Sequence, residues 1–313
     1  MSEKRAAPAR AVLIAGPTAS GKSALALDLA EALDGVVINA DSMQIYDGLR
    51  ILTARPSPAE EARAPHRLYG HVDPAHAFSV AEWLADVGPV LEETRDAGRV
   101  PIVVGGTGLY FEGLLEGLAP VPEIAEEVRA HWRARADAVG AEALHRDLER
   151  LDPVMAERLR PSDTQRITRA LEVIASTGRS LADWQAAPHS PALLTREETV
   201  RIVLEPERAV LHERIARRFR LMIAEGAIEE AAAFAARGLS PRLPACRAIG
   251  VAALAQVAAG RLPLQDGMTR GIVETRQYAK RQSTWFRGRM GEWLRGEAAD
   301  LHAATIAVIA GGA

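Results

Sequence analysis

The sequence predicts an α/β fold, a largely parallel sheet flanked by helices and carrying an inserted helical unit, and three observations lead there. A continuous apolar run, Ala11–Ala15, passes through Gly-Pro into a segment with Leu25, Leu29 and Leu33 at helical spacing. Two further apolar runs, residues 36–38 and 100–104, end in Asn39-Ala40-Asp41-Ser42 and Gly105-Gly106. From about residue 121 to 191 the strand signal disappears and amphipathic helix takes over. Buried strands alternating with helices form parallel sheets whose ligands collect at the carboxyl ends of the strands. Asp41 and Thr107 are therefore expected on the same rim as the loop that follows Ala15.

The chain has 313 residues, 48% of them hydrophobic, enough for one large core and a second unit. The expected division is a core from 1–120 and 192–313, with the helical unit 121–191 between. A net charge of -3 gives no global attraction to a polyanion, so any nucleic-acid contact must use local basic patches. The single cysteine, Cys246, excludes an intramolecular disulfide framework and fits a reducing compartment. Residues 1–10 are partly basic but run into the glycine motif rather than a cleavage site. No apolar stretch is long enough to cross a bilayer, so a cytoplasmic protein is expected.

Within the helical unit, arginines 129, 133, 135, 146 and 150 run through the pattern. Ser162-Asp163-Thr164-Gln165 has capping-box form, and Ile167, Ala170, Leu171 and Ile174 then mark a buried face. Gln165, Arg166 and Arg169 are left on the open face. Residues 201–204 read as a returning strand, and the remainder reads as mostly helical, ending in an Ala-rich tail.

Gly16-Pro17-Thr18-Ala19-Ser20-Gly21-Lys22-Ser23 matches the phosphate-binding loop at every specified position and has the required strand before it and helix after it. In such a loop backbone N–H groups converge on phosphate oxygens, Lys22 neutralises their charge, and the Ser23 hydroxyl is placed to ligate magnesium. The motif names a ligand and not a reaction, because kinases, ATPases and other transferases share it. An ATP hydrolase usually carries an acid at the end of a neighbouring strand. Here the strand at 100–104 ends in Gly-Gly-Thr, which weakens that reading.

Asp41 can accept a proton from an attacking hydroxyl or amine, or can simply cap a helix. Gly105-Gly106-Thr107-Gly108 can touch a ligand or be a tight turn. Arg214 and Arg218 can be surface charges, or one of them can reach the phosphates. Residues 275–287, TRQYAKRQSTWFR, place Arg276 and Lys280 on one helical face with aromatics between, a solvated basic helix or an RNA surface.

Together these segments resemble one family, the bacterial tRNA dimethylallyltransferases, over nearly the whole chain. The carriers are GPTASGKS at Gly16, DSMQIY at Asp41, PHRL at Pro65, VGGTGLYF at Val104, DTQRITRALEV at Asp163, RIARRF at Arg214 and TRQYAKRQSTWFR at Thr275. The resemblance implies a P-loop NTPase-like sheet and transfer of a dimethylallyl group from its diphosphate to the exocyclic amine of the adenosine just 3′ of a tRNA anticodon. It implies Mg2+ as cofactor, ATP that need not be consumed, and tRNA and dimethylallyl diphosphate as partners; a monomer without membrane association is the default expectation.

By resemblance Asp41 takes the amine proton, residues 18–23 bind diphosphate and magnesium, and Arg218 neutralises departing charge. RNA contacts map onto Asp41, Ser42, Met43, Gln44, Thr107, Arg129, Gln165, Arg166, Ile167, Thr168, Arg169 and Arg247. Four positions depart from the family pattern: Leu52 for a Gly, Arg55 for a Lys, Gly70 for an Asp and Val251 for a Tyr. Rival readings are an adenylate isopentenyltransferase acting on a free nucleotide, a small-molecule kinase with Asp41 as base, and a non-catalytic RNA-binding protein switched by nucleotide.

Overall fold

The structure, a computed structural model, describes residues 11–310. The basic segment at 1–10 lies outside the described residues. In chain order the elements are β1 (Ala11–Ala15), α1 (Lys22–Ala32), β2 (Gly35–Asn39), α2 (Pro58–Glu61), β3 (His66–Arg67), α3 (Val80–Asp96), β4 (Val100–Gly105), α4 (Gly108–Glu116), α5 (Glu126–Leu151), α6 (Pro153–Arg158), α7 (Thr164–Thr177), α8 (Leu181–Gln185), β5 (Thr199–Leu204), α9 (Arg208–Ala224), α10 (Ala227–Ala235), a 3₁₀ turn (Pro244–Arg247), α11 (Val251–Ala258), α12 (Leu264–Arg289), β6 (Leu294–Gly296) and α13 (Ala298–Ala310). The strands form one sheet, β3-β2-β4-β1-β5-β6, in which every pairing is parallel. Two edge strands, β3 and β6, are additions to the sequence reading. They are two and three residues long and carry no apolar run to announce them.

Every residue of β1 is buried, as a central parallel strand covered on both faces requires. The side chains alternate between two apolar clusters. Leu13, Ile38, Val103 and Val203 join the residues of α3, α4 and α9 through α12 on one face, while Val12, Ile14, Ile102 and Ile202 join those of α1 and α13 on the other. The chain leaving β1 thus turns to one face through α1, and the chain leaving the adjacent β4 turns to the opposite face through α4. Loops that diverge in this way open a crevice at the carboxyl ends of the two strands, the usual ligand position in open α/β sheets.

The described residues divide into two compact units, one built from the chain up to Leu115 and from Leu193 onward, the other Glu116–Ala192. The second unit is helical, with its own core of Trp132, Leu144, Leu148, Met155, Ile167 and Leu171. Gly140, at φ 76 and ψ 172, breaks α5 into two segments. The capping box expected from Ser162 and Gln165 is not formed. Asp163 caps α7 instead, its carboxylate accepting from the Arg166 N–H at 3.3 Å. Ile167, Ala170 and Leu171 are fully buried, whereas Ile174 is only half-buried and Val173 takes the inward place.

The four family departures sit in two structural pairs. Gly70 has φ +56, and a Cβ built on it would fall 1.9 Å from the Arg55 guanidinium, so the Arg55 side chain fills the place a residue-70 side chain would take. Leu52 and Val251 are both buried in one cluster, and Leu52 lies 3.1 Å from where a Cβ on Gly250 would be.

Candidate active site

The loop after β1 owes its shape to backbone that few residues adopt. Gly21 has φ 98 and caps α1, and Ala19 has φ 65. The Ser20 N–H donates to the Pro17 carbonyl at 3.1 Å, which tightens the loop. At its end the first turn of α1 presents free N–H groups and the positive end of the helix dipole, a combination suited to an anion. Lys22 is buried and its Nζ donates back to the Pro17 carbonyl at 3.4 Å. Burial pushes its ammonium down to about 8, with nearby Arg218 adding to the effect and Asp41 opposing it. Ser23, in contrast, is exposed on the first turn of the helix.

From α9, Arg218 donates through Nη2 to the Thr18 hydroxyl, and Arg214 donates to the Ser20 carbonyl at 3.2 Å. Arg218 is half-buried, and the loss of hydration holds its guanidinium below the usual range, partly offset by Asp41. Of the two arginines left open by the sequence, Arg218 is therefore the one bonded to a side chain of the phosphate loop. Arg214 is exposed and donates to loop backbone.

Asp41 follows β2 in a turn stapled from several directions. Its own Oδ1 accepts from the Met43 N–H at 2.9 Å. Asn39, fully buried, accepts from the Asp41 N–H at 2.9 Å and donates to the carbonyls of Asp41 at 3.1 Å and Leu68 at 3.0 Å. Trp83 in turn donates to the Asn39 carbonyl at 3.0 Å and stacks on Tyr110 at 4.2 Å between centroids. Asp41 starts no helix, so the helix-cap reading of this residue is replaced by a turn in which the carboxylate caps one local N–H. Burial together with the Asp41 charge pushes the hydroxyls of Tyr69, Tyr110 and Tyr278 up, and so keeps them protonated. Asn39→Ala should lower unfolding free energy by about 1–3 kcal/mol by leaving buried backbone groups unpaired. A urea titration reads this directly, and an unchanged midpoint would mean the turn is held without Asn39.

The glycines of the Gly105-Gly106-Thr107-Gly108 turn are closely packed by other parts of the protein. None of its glycines has a positive φ. A Cβ on Gly105 would meet the Ala40 carbonyl at 2.0 Å, one on Gly106 the Gln282 amide at 2.1 Å, and one on Gly108 the Trp285 ring at 2.1 Å. The glycines thus admit the end of β2 and two side chains of α12. Thr107 ties the turn to the Asp41 segment, its hydroxyl accepting from the Ser42 N–H at 2.9 Å.

The core unit therefore brings Thr18, Lys22, Arg218, Asp41, Ser42 and Thr107 to the carboxyl rim of β1, β2 and β4. Met43 and Gln44 continue the same turn, with Gln44 donating to the carbonyls of Thr53 and Ala54 at 2.8 and 3.0 Å. Arg247 is exposed at the end of the 3₁₀ turn. In the helical unit Arg129 is half-buried on α5, and Gln165 and Arg166 are exposed on α7. Arg169 pairs with the buried Glu172 at 3.5 Å, a carboxylate that Arg133 also approaches at 3.5 Å. Ile167 and Thr168 point inward, and the Thr168 hydroxyl is used on the Thr164 carbonyl at 2.7 Å.

Two site residues were not found by sequence reasoning, Asn39 and Gln282. For Gln282 a signal existed. The buried stripe of α12 runs Thr275, Ala279, Gln282, Phe286, and an amide on an apolar stripe calls for buried partners.

As for a metal, no cluster of three or more His, Cys, Asp or Glu able to hold an ion occurs among the described residues. The exposed Ser23 hydroxyl beside a phosphate loop fits a hard cation that takes most of its ligands from phosphate oxygens and water. No helix among the described residues is long and apolar enough to cross a membrane.

Comparison with known proteins adds independent findings. The IPP transferase family model matches residues 44–289, and the isopentenyl transferase model matches residues 9–73. A tRNA dimethylallyltransferase of Azorhizobium caulinodans is 55% identical over 286 residues, 91% of each chain. One from Agrobacterium fabrum is 51% identical, covering 91% of this chain and 96% of that one. Among solved structures, the tRNA isopentenylpyrophosphate transferase of Bacillus halodurans superposes with a TM-score of 0.68 at 32% identity, over 97% of this chain and 98% of that one. A eukaryotic dimethylallyltransferase described as acting on tRNA gives 0.75 at 26% identity, over 93% of this chain and 74% of the other.

Proposed function

Because this chain belongs to the IPP transferase family, we propose that it transfers the dimethylallyl group of dimethylallyl diphosphate to the N6 amine of the adenosine 3′-adjacent to a tRNA anticodon. The reading is of a monomeric cytoplasmic enzyme that needs Mg2+ and for which ATP need not be consumed. One observation carries it. Two cations, Lys22 and Arg218, converge on the phosphate loop within electrostatic reach of a single carboxylate, Asp41, on the neighbouring loop.

The chemistry follows from that charge pattern. The N6 lone pair forms a bond to the allylic C1 carbon, the C1–O bond breaks, and its electron pair leaves on diphosphate. Negative charge grows on the bridging oxygen, where Lys22, Arg218 and the α1 amides stabilise the transition state more than the ground state. The nucleophile is a weak aromatic amine that becomes positively charged as it attacks, and Asp41 accepts its proton. Magnesium, held by Ser23 and diphosphate oxygens, would neutralise further charge on the leaving group. An adenine inside a stacked loop cannot reach such a crevice, so the base has to be extruded.

The deciding experiment is label transfer. Carbon label from dimethylallyl diphosphate should appear in tRNA as N6-(dimethylallyl)adenosine. Label in free adenylate would favour the nucleotide prenyltransferase, and phosphate label moving from ATP to a metabolite would favour a kinase.

RNA contact in the helical unit rests on Arg129, Gln165, Arg166 and Arg169, with Ile167 and Thr168 holding the α7 face in position; the core contributes Asp41, Ser42, Met43, Gln44, Thr107 and Arg247. Arg169→Ala should weaken tRNA binding and reduce its salt dependence by about one phosphate contact. Filter binding across a salt series measures this, and an unchanged slope removes Arg169 from the interface. Because Arg169 also neutralises Glu172, Arg133→Ala, which removes the other arginine on Glu172 together with its pairing to Glu126, serves as a control for loss of internal pairing.

A further inference from the structure

The crevice between β1 and β4 is crossed by one side chain that neither the loop motif nor the charge pattern assigns. Gln282, on α12, is buried. Its Oε1 accepts from the Thr18 N–H at 2.9 Å, and its Nε2 donates to the Gly106 carbonyl at 2.9 Å. These are the loop of the leaving group and the turn beside Asp41, separated by 264 and 176 positions in the chain from the residue that joins them. Gly106 is bare where Gln282 enters, since a Cβ there would fall 2.1 Å from Nε2 and 3.2 Å from Asp41 Oδ2. Thr18 is held twice, by Gln282 at its amide and by Arg218 at its hydroxyl.

We propose that Gln282 is a positioning residue for the transfer, a two-ended amide that sets the distance between the diphosphate loop and the Asp41 turn. An amide suits this role because it offers one acceptor and one donor at fixed separation, matching an N–H on one wall and a carbonyl on the other. The proposal rests on the prenyl-transfer reading above. Attack needs the amine and the allylic carbon aligned to a few tenths of an ångström, and the amine sits on the Asp41 side while the carbon is tethered through diphosphate to the loop. A side chain bonded to both walls fixes that separation. The placement of Gln282 on α12 also links it to the helix bearing Arg276 and Lys280.

Two variants test this, assayed beside wild type with dimethylallyl diphosphate and an anticodon stem-loop. Gln282→Leu keeps the bulk and removes both bonds. It should lower kcat about tenfold to a hundredfold with KM for the RNA little changed, alongside a modest fall in melting temperature from the two backbone groups left without partners. Gln282→Glu supplies a pH signature that a purely structural role does not. Its carboxylate can still accept from Thr18 but sets an acceptor against the Gly106 carbonyl, whereas the protonated acid restores both bonds. The activity of this variant relative to wild type should therefore rise as the pH is lowered and the introduced carboxyl becomes protonated.

Wild-type kcat in the leucine variant, or a pH-independent ratio in the glutamate variant, overturns the positioning role while leaving the function intact. Absence of prenyl transfer by the wild-type chain itself overturns both.

Discussion

Asp41→Ala should lower turnover by about two to four orders of magnitude, the range expected when a general base is removed, while tRNA binding, shared among the other RNA contacts, largely survives. The structure sharpens the choice of variant. Asp41 Oδ1 accepts from the Met43 N–H, and alanine would release that turn as well as the charge. Asp41→Asn keeps an acceptor for Met43 and removes only basicity, so a comparable fall in the asparagine variant isolates proton transfer. Single-turnover label transfer with saturating RNA gives the rate, and filter binding gives the affinity. Lost affinity with normal turnover would reassign Asp41 to RNA recognition.

Lys22→Met should lower turnover by about two to three orders of magnitude, the scale of losing one preorganised charge at a developing anion. A second consequence comes from protonation. With its pKa brought down to about 8, Lys22 is partly neutral in the free protein above that pH. Bound diphosphate favours the charged form, so kcat/KM for the donor should fall above pH 8 while kcat holds to higher pH. The sign for stability runs the other way. Between about 8 and the ordinary lysine value of 10.5 the unfolded chain binds more protons than the folded one, so stability rises with pH across that window. Lys22→Met should abolish this rise and leave the ligand-free protein no less stable at pH 7, because a buried cation has been removed. A pH-independent difference in unfolding free energy between the two proteins would count against the buried charge.

Much of this was legible in the chain because the informative features are local. β1, β2, β4 and β5 announce themselves as apolar runs, and the phosphate loop as a fixed spacing of glycine, lysine and serine. Periodicity also placed Ile167, Ala170 and Leu171 on the inner face of α7. Capping was not legible: Ser162 and Asp163 both precede α7 as competent caps, and only the helix start decides between them. The edge strands β3 and β6 were missed because so short a strand has no period. Gln282 was missed for a different reason. Its meaning depends on two partners far away in sequence, and nothing near position 282 states what the amide faces. Local pattern likewise left kinase, free-nucleotide and RNA acceptor chemistry open at Asp41, where family membership now argues for RNA.

The guanidinium of Arg55 lying over bare Gly70 makes those two positions a single heritable character. Grafting aspartate at 70 alone would displace the end of the Arg55 side chain and set a carboxylate beside its guanidinium, and grafting lysine at 55 alone would leave a gap beside Gly70. Positions 55 and 70 are therefore coupled through space, and a hybrid assembled from this chain and a relative carrying the commoner residues is best compared with both exchanged as well as with each exchanged alone.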